Sequence, residues 1–305
     1  MKKRTRQYVF LISALIAGPA AGTGRAQNAP DHPTVIVRGQ TYTPKTILGR
    51  NRGPGEGACC DEIAPLKPHK IVGNVYYVGM RTLSTFLIVT PAGNILMDSA
   101  WEQNVPLIKK SVEELGFRFS DTKILLNNHE HGDHVDGDAM VKELTGAQVV
   151  EIAEGVEALK KVMPGGKPHP IDRIIQDGDT VTLGGTTLTA HLTPGHADGG
   201  TTWTMKATEG GKTYDVVFFS SIRTPGKITP KSEAQYALTL PLVRSLPCDV
   251  PLGDHTETYD IREKLEKIRP GAPNPYIDRA GCSIETDVED SMLHATLQEQ
   301  QQPGH

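Results

Sequence analysis

No stretch of this sequence offers the roughly twenty uncharged, apolar residues that a membrane span requires. The apolar run near its start, Tyr8 to Ala17, is too short, which argues against a membrane anchor. Basic patches and internal repeats are missing too. A net charge of -4 over 305 residues gives no reason to expect nucleic acid or an anionic membrane as a partner. Only four cysteines are present, and no two have the CxxC spacing of a thiolate metal site.

What the N-terminus does have is Lys2, Lys3, Arg4 and Arg6 ahead of that short run, then small residues through Gly24-Arg25-Ala26. This is the pattern of a secretory signal peptide over residues 1–26, with cleavage expected after Ala26. The remainder, 27–305, is expected to form a single domain, its core at about 70–285 and a loop-rich segment at 27–69. The implied destination is the periplasm or the exterior, where thiols pair. Connectivity is not readable from spacing. Cys248 with Cys282 is favoured, because they flank the last candidate ligand and would tie the C-terminal segment onto the core. The adjacent Cys59 and Cys60 have no account. Composition is otherwise ordinary at 37% hydrophobic and 22% charged. The 31 glycines and 22 prolines exceed an average joint share of roughly 12% and point to many turns and long loops.

Strand patterns come first along the chain: Val75 to Val78, Thr85 to Thr90, and Ile95 to Met97 after a Pro91-Ala92-Gly93-Asn94 turn. Val105, Ile108, Val112 and Leu115 fall at helical spacing, with Pro106 suited to the first turn and Gly116 to the stop. Ile124 to Leu126 reads as a short buried strand, Asp138 to Leu144 as a helix ended by Gly146, and Val149 to Ile152 as a strand. A short helix and a Pro/Gly-rich loop follow within Gly155 to Pro170. The second half gives strands at Val181 to Leu183, Thr187 to Thr193, Thr201 to Ala207 and Tyr214 to Phe219, with Glu209-Gly210-Gly211-Lys212 as a hairpin turn. Helices are expected at Asp260 to Ile268 and Val288 to Gln298. Two mixed sheets packed face to face, with helices outside, satisfy this α/β order.

The residues that carry chemistry follow Leu126 directly: His129, His131, Asp133 and His134 in the run Asn-Asn-His-Glu-His-Gly-Asp-His. In an extended loop, residues two apart point the same way, so His129 and His131 can converge on one metal ion. Asp133 and His134 can face a second. His196, in Thr193-Pro194-Gly195-His196, and His255, in Gly253-Asp254-His255, are placed to complete the spheres. The expected allocation is His129, His131 and His196 on one zinc and Asp133, His134 and His255 on the other, with a bridging hydroxide. Imidazoles and one carboxylate suit zinc better than calcium or magnesium, which want oxygen. The remaining histidines, His32, His69, His169, His191, His294 and His305, are read as surface or hydrogen-bonded core residues.

With that run on view, the chain resembles the metallo-β-lactamase superfamily, and more narrowly its subclass B3, over roughly Ile71 to Cys282. The resemblance also rests on Ile71-Val72-Gly73-Asn74-Val75-Tyr76-Tyr77-Val78, on Asp98 after a strand, and on Thr187 to His196 followed by Gly200-Thr201-Thr202-Trp203. It implies an αββα sandwich with the site on one edge. At the end of the strand Tyr214 to Phe219, glyoxalase II-like and lactonase-like members place a metal-bridging Asp and other β-lactamase subclasses a ligand Cys, whereas this chain has Ser220 and Ser221. By the same resemblance the second metal takes His134, and the spacing of Cys248 and Cys282 matches a disulfide of the subclass. The segment Cys59 to Pro65 departs from the family's Trp-containing flank. So do Ala197-Asp198 after His196 and Gly253-Asp254 before His255, which leaves the shape and charge of the pocket open.

The activity implied is opening of a β-lactam ring by the zinc-activated hydroxide, oriented by Asp133. Ser220, Ser221 and Arg223 would anchor the substrate carboxylate, and Asp98 would hold a ligand imidazole from behind. An exported esterase, lactonase or thioesterase with the same metals is the alternative, and a periplasmic zinc-binding protein without turnover a more remote one. The partner expected is a small molecule, neither nucleic acid nor membrane, and the oligomeric state stays open.

Overall fold

Turn chemistry and alternation account for two sheets. The computed structural model describes residues 35–37, 39–42, 63–224 and 227–301. The expected signal peptide, Cys59, Cys60, His32 and His305 lie outside them. A small antiparallel ribbon pairs β1 (Val35–Val37) with β2 (Gln40–Tyr42). The first large sheet then runs in chain order: β3 (His69–Val72), β4 (Val75–Tyr77), β5 (Phe86–Thr90), β6 (Gly93–Met97), β7 (Thr122–Leu126), β8 (Gln148–Ile152) and β9 (Arg173–Ile175). It is antiparallel through β6 and parallel from β6 to β9. Parallel neighbours need crossovers. These are α1 (Val105–Glu114), then α2 (Gly132–Val135) with α3 (Asp138–Thr145), then α4 (Val156–Leu159). Helix α1 buries Val105, Ile108 and Val112 on one stripe, and α3 stops at Gly146, whose φ of 70° suits a residue without Cβ.

The second sheet is β10 (Thr180–Leu183), β11 (Thr186–Leu192), β12 (Thr201–Glu209), β13 (Lys212–Phe219) and β14 (Val250–Gly253), also in chain order. Glu209 pairs with Lys212 across Gly210 and Gly211, both at positive φ, as a tight hairpin of this hand demands. Strand β14 lies parallel to β13 and is reached through α5 (Pro230–Ser245); α6 (Ile261–Lys267) and α7 (Gly281–Gln300) close the chain.

The sheets meet through Phe86 and Ile88 on one side and Trp203, Val216 and Phe218 on the other. The Phe86 and Phe218 rings stand edge to face at 5.1 Å. Each such side chain contributes roughly 1.5–3 kcal/mol by leaving water. On the outer face of the first sheet, Leu87, Leu96 and Leu125 pack under α1 and Val141 of α3. Outside the second, Val217 and Phe219 pack against Val243 of α5, while Leu293 of α7 joins Tyr236 and Leu240. This is the expected αββα sandwich. Cys248 and Cys282 form a disulfide, Cα to Cα 6.0 Å, between the approach to β14 and the first turn of α7.

Three features depart from the sequence expectation. Helix α5 was not expected, because Pro241 sits inside it and reads as a breaker, although Thr229 and Ser232 form a reciprocal capping box and Tyr236, Thr239, Leu240 and Val243 make a buried helical stripe. Strands β3, β9 and β14 are too short, or too rich in Pro and Gly, to show alternation. The ligand loop is extended only to His131; Gly132–Val135 turn helically. Among the described residues no helix is long and apolar enough to cross a membrane.

Candidate metal centre

Asn128, two residues past β7, is the point from which the site hangs. Its N–H and Nδ2 donate to the two Asp98 oxygens at 2.8 and 3.0 Å. Its carbonyl accepts from the Thr201 N–H at 2.7 Å and the Ser220 hydroxyl at 3.0 Å. One residue of the first sheet's edge is thus bonded to the start of β12 and the end of β13. Asp98 and Ala100 hold φ of 61° and 57°, a left-handed conformation that costs a residue with Cβ about 1–3 kcal/mol and persists only where the surroundings over-determine it. Here the bonds from Asn128, and the Ser99 N–H to the His134 carbonyl at 2.9 Å, do so.

The structure brings all six expected donors together in two groups. In the first, His129 Nε2 lies 3.1 Å from His131 Nδ1, and the His196 ring sits edge-on to both, its centroid 5.1 and 4.8 Å from theirs. In the second, His134 Nε2 lies 3.3 Å from His255 Nε2 and 3.4 Å from Asp133 Oδ2, and the last two are 3.6 Å apart. Bonds of about 2.0–2.2 Å to a tetrahedral ion place neighbouring donors roughly 3.3–3.6 Å apart, so the second triad has the spacing of a zinc sphere with one position open. The helical turn at Gly132 makes the division: His131 ends the extended segment, and Asp133 and His134 are rotated towards His255. Gly132 is packed under Trp101, where a Cβ would meet the indole at 3.1 Å.

Each group is braced from behind. His134 Nδ1 lies 3.2 Å from Asp98 Oδ2, so its Nε2 is left facing the second triad. His129 Nδ1 lies 3.3 Å from Asp254 Oδ2, which also accepts the Ser221 N–H at 2.7 Å. His196 Nδ1 is 3.3 Å from the Arg223 carbonyl. Asp98, expected from the sequence to hold a ligand imidazole from behind, lies against His134. Asp254 and Glu130 were missed. Asp254 showed as a carboxylate just ahead of a ligand-type histidine. Glu130, between two such histidines, accepts the N–H groups of Asp198 and Gly199 at 3.0 and 3.2 Å and ties the His196 loop to the ligand loop.

Burial, and then the neighbouring His134, lowers the pKa of His129 to about 3; burial, and then His131, lowers that of His196 to about 4. Burial also takes His255 well below its ordinary value. Burial works against charge on His134 as well, but Asp133 and Asp98 outweigh it and hold its pKa well up. For Asp133, burial is outweighed by His134, and its carboxyl stays ionised far into acid. At neutral pH His129, His196 and His255 are therefore neutral imidazoles, the state in which they bind a transition metal, whereas His134, held charged between Asp133 and Asp98, gives up its proton to an ion. The donor chemistry and spacing fit zinc.

The expected substrate contacts are less free. The Ser220 hydroxyl is spent on the Asn128 carbonyl, and the Arg223 guanidinium is paired with the buried Glu257. The buried Ser221 hydroxyl has no partner among the described residues.

Residues 79–208 match the family profile of the metallo-beta-lactamase superfamily. The chain is similar to the native FEZ-1 metallo-beta-lactamase from Legionella gormanii, with 39% identity and a TM-score of 0.73, covering 78% of this chain and 97% of that one. It belongs to the metallo-β-lactamase superfamily. BJP-1, a subclass B3 metallo-beta-lactamase of Bradyrhizobium japonicum, is similar at 34% identity and a TM-score of 0.73, over 80% of this chain and 98% of that one. A different activity name comes from a shorter match. The hydroxyacylglutathione hydrolase of Methylobacterium nodulans is 35% identical over 97 residues, 32% of this chain. The chain spans about a third, 33%, of that curated relative's length. Superfamily membership makes the chain a metal-dependent hydrolase in kind, and its neighbours by structure are B3 metallo-β-lactamases.

Proposed function

We propose that this superfamily member is an exported, dizinc β-lactamase of the B3 kind. The observation that carries the reading is the second triad. Asp133, His134 and His255 complete it without any side chain from the end of β13, where Ser221 instead gives its N–H to Asp254. His129, His131 and His196 would hold one ion and Asp133, His134 and His255 the other. Zinc, when bound, supplies a water acidified to a pKa of about 7 and a Lewis acid for the lactam carbonyl.

The chain's own groups do the rest. Asp133, kept ionised by His134 against its burial, would orient the attacking water. Asp98 and Asp254 fix the rings of His134 and His129. The Ser221 hydroxyl is buried, so the partly exposed Arg223, its charge shared with Glu257, is the group nearer to hand for a substrate carboxylate. Export to an oxidising compartment is supported by the Cys248–Cys282 disulfide.

A second reading, thioester hydrolysis, is favoured by the similarity to hydroxyacylglutathione hydrolases over about a third of the chain, 32%. Zinc-loaded protein assayed side by side on nitrocefin, a carbapenem, a homoserine lactone and a glutathione thioester separates the two. β-Lactam turnover that is lost on chelation and in His129→Ala and His196→Ala is the expected result. Turnover of the thioester alone overturns the proposal.

A further inference from the structure

Beneath the ligand loop lies a second set of ligand-type side chains that the proposed reaction does not use. Asp138 opens α3, Glu151 is on β8, and His169 sits in the loop before β9; their ligand atoms lie within 4.8 Å of one another. The Asp138 and His169 side chains have no exposed surface, and Glu151 is 6% exposed. Asn127 Nδ2 donates to Asp138 at 2.6 Å and to Glu151 at 2.7 Å, and the Ser99 hydroxyl donates to Asp138 at 2.5 Å. These donors are neutral. Among the described residues no lysine or arginine pairs with either carboxylate, so two buried acids face each other without a compensating cation.

His169 shows where one belongs. Its Nε2 is 3.0 Å from Asp138 Oδ2, yet neither of its ring nitrogens makes a hydrogen bond, although both are buried. A nitrogen that close to a carboxylate oxygen, but not aimed along a hydrogen bond to it, has the relation of two ligands that share an ion. One imidazole and two carboxylates make a mixed nitrogen and oxygen set that suits zinc; calcium takes six to eight oxygens, and magnesium keeps several waters of its own.

We propose that Asp138, Glu151 and His169 form a third cation site, separate from the two triads above, that takes zinc. Asn127 and Asp138 bracket the ligand loop, and Glu151 and His169 come from the next strand and the loop after α4. An ion there braces the base of the loop against β8.

The test on the unaltered chain is diffraction on both sides of the zinc edge from crystals grown with zinc chloride. An anomalous peak between Asp138, Glu151 and His169 is expected; peaks at the two triads with none here would overturn the proposal. In solution, chelator-stripped protein titrated with zinc chloride and freed of excess should retain one equivalent more than Glu151→Gln, which keeps the shape and the acceptor for Asn127. Equal stoichiometry means a proton-sharing network and no ion, and overturns the site. The result stands apart from the proposed function, because peaks at the triads and β-lactam turnover are read independently of this one.

Discussion

A ligand histidine is only as good as the group that holds its other nitrogen. His129 depends on Asp254, whose carboxyl is kept ionised by His129, His255 and His134 although burial opposes the charge. Asp254→Asn keeps the volume but removes the charge that fixes the His129 tautomer. Zinc affinity at the first triad should fall about 10–100-fold, the usual cost of losing such a partner, with the fold intact by circular dichroism. Unchanged affinity in a competitive chelator titration would deny Asp254 this role. Four of the six donors, His129, His131, Asp133 and His134, were legible in the sequence because ligand-type side chains crowded into one short loop have no packing purpose, and His196 and His255 because each sits in a polar, loop-like stretch. Asp254 was not, because one carboxylate beside one histidine is commonplace, and only the fold shows it pointing back at His129. For His169 the sequence reading of a surface or hydrogen-bonded core residue gives way to a buried ring with neither nitrogen bonded.

Among elements, the short ones decide the site. Strands and helices with clean periodicity, such as β12, β13, α1 and α3, could be read in advance. The helical turn α2 and helix α5 could not, the first for being four residues long and the second for its internal proline. The loop that carries His196 is fitted equally closely. A Cβ on Gly199 would lie 2.5 Å from the Gly155 Cα and 2.9 Å from Glu130 Oε2, so backbone would have to move. Gly199→Ala should displace His196 and cut hydrolysis by up to about a hundredfold, as a misplacement near 1 Å can do. Its zinc content should fall at the first triad and not at the second. Wild-type rates in that variant would show the contact to be slack.

For the whole molecule, acid is the revealing condition. His129, His196 and His255 have folded pKa values pushed below the ordinary one by burial, so below pH ~6.5 the unfolded chain binds protons that the folded, metal-free chain refuses. His134 runs the other way, its raised value adding stability that is full below that pH and lost as pH rises through it. In the chelated protein the rings of His129 and His196 should therefore stay largely neutral by NMR at pH ~4.5, where an unperturbed imidazole is charged, and rings charged at that pH would contradict these environments. Reducing the Cys248–Cys282 bond, which closes a separation of 34 residues, should cost about 3–4 kcal/mol of stability through the freer unfolded chain. Zinc content at the triads should be unaffected. The bond between Asn128 and both sheets has a counterpart in the donors themselves. His129 and His134 stand past β7 in one sheet, whereas His196 and His255 stand past β11 and β14 in the other. Any ion held by such a set is a rivet through the seam of the sandwich, and its binding energy is at the same time energy that keeps the two halves from sliding apart.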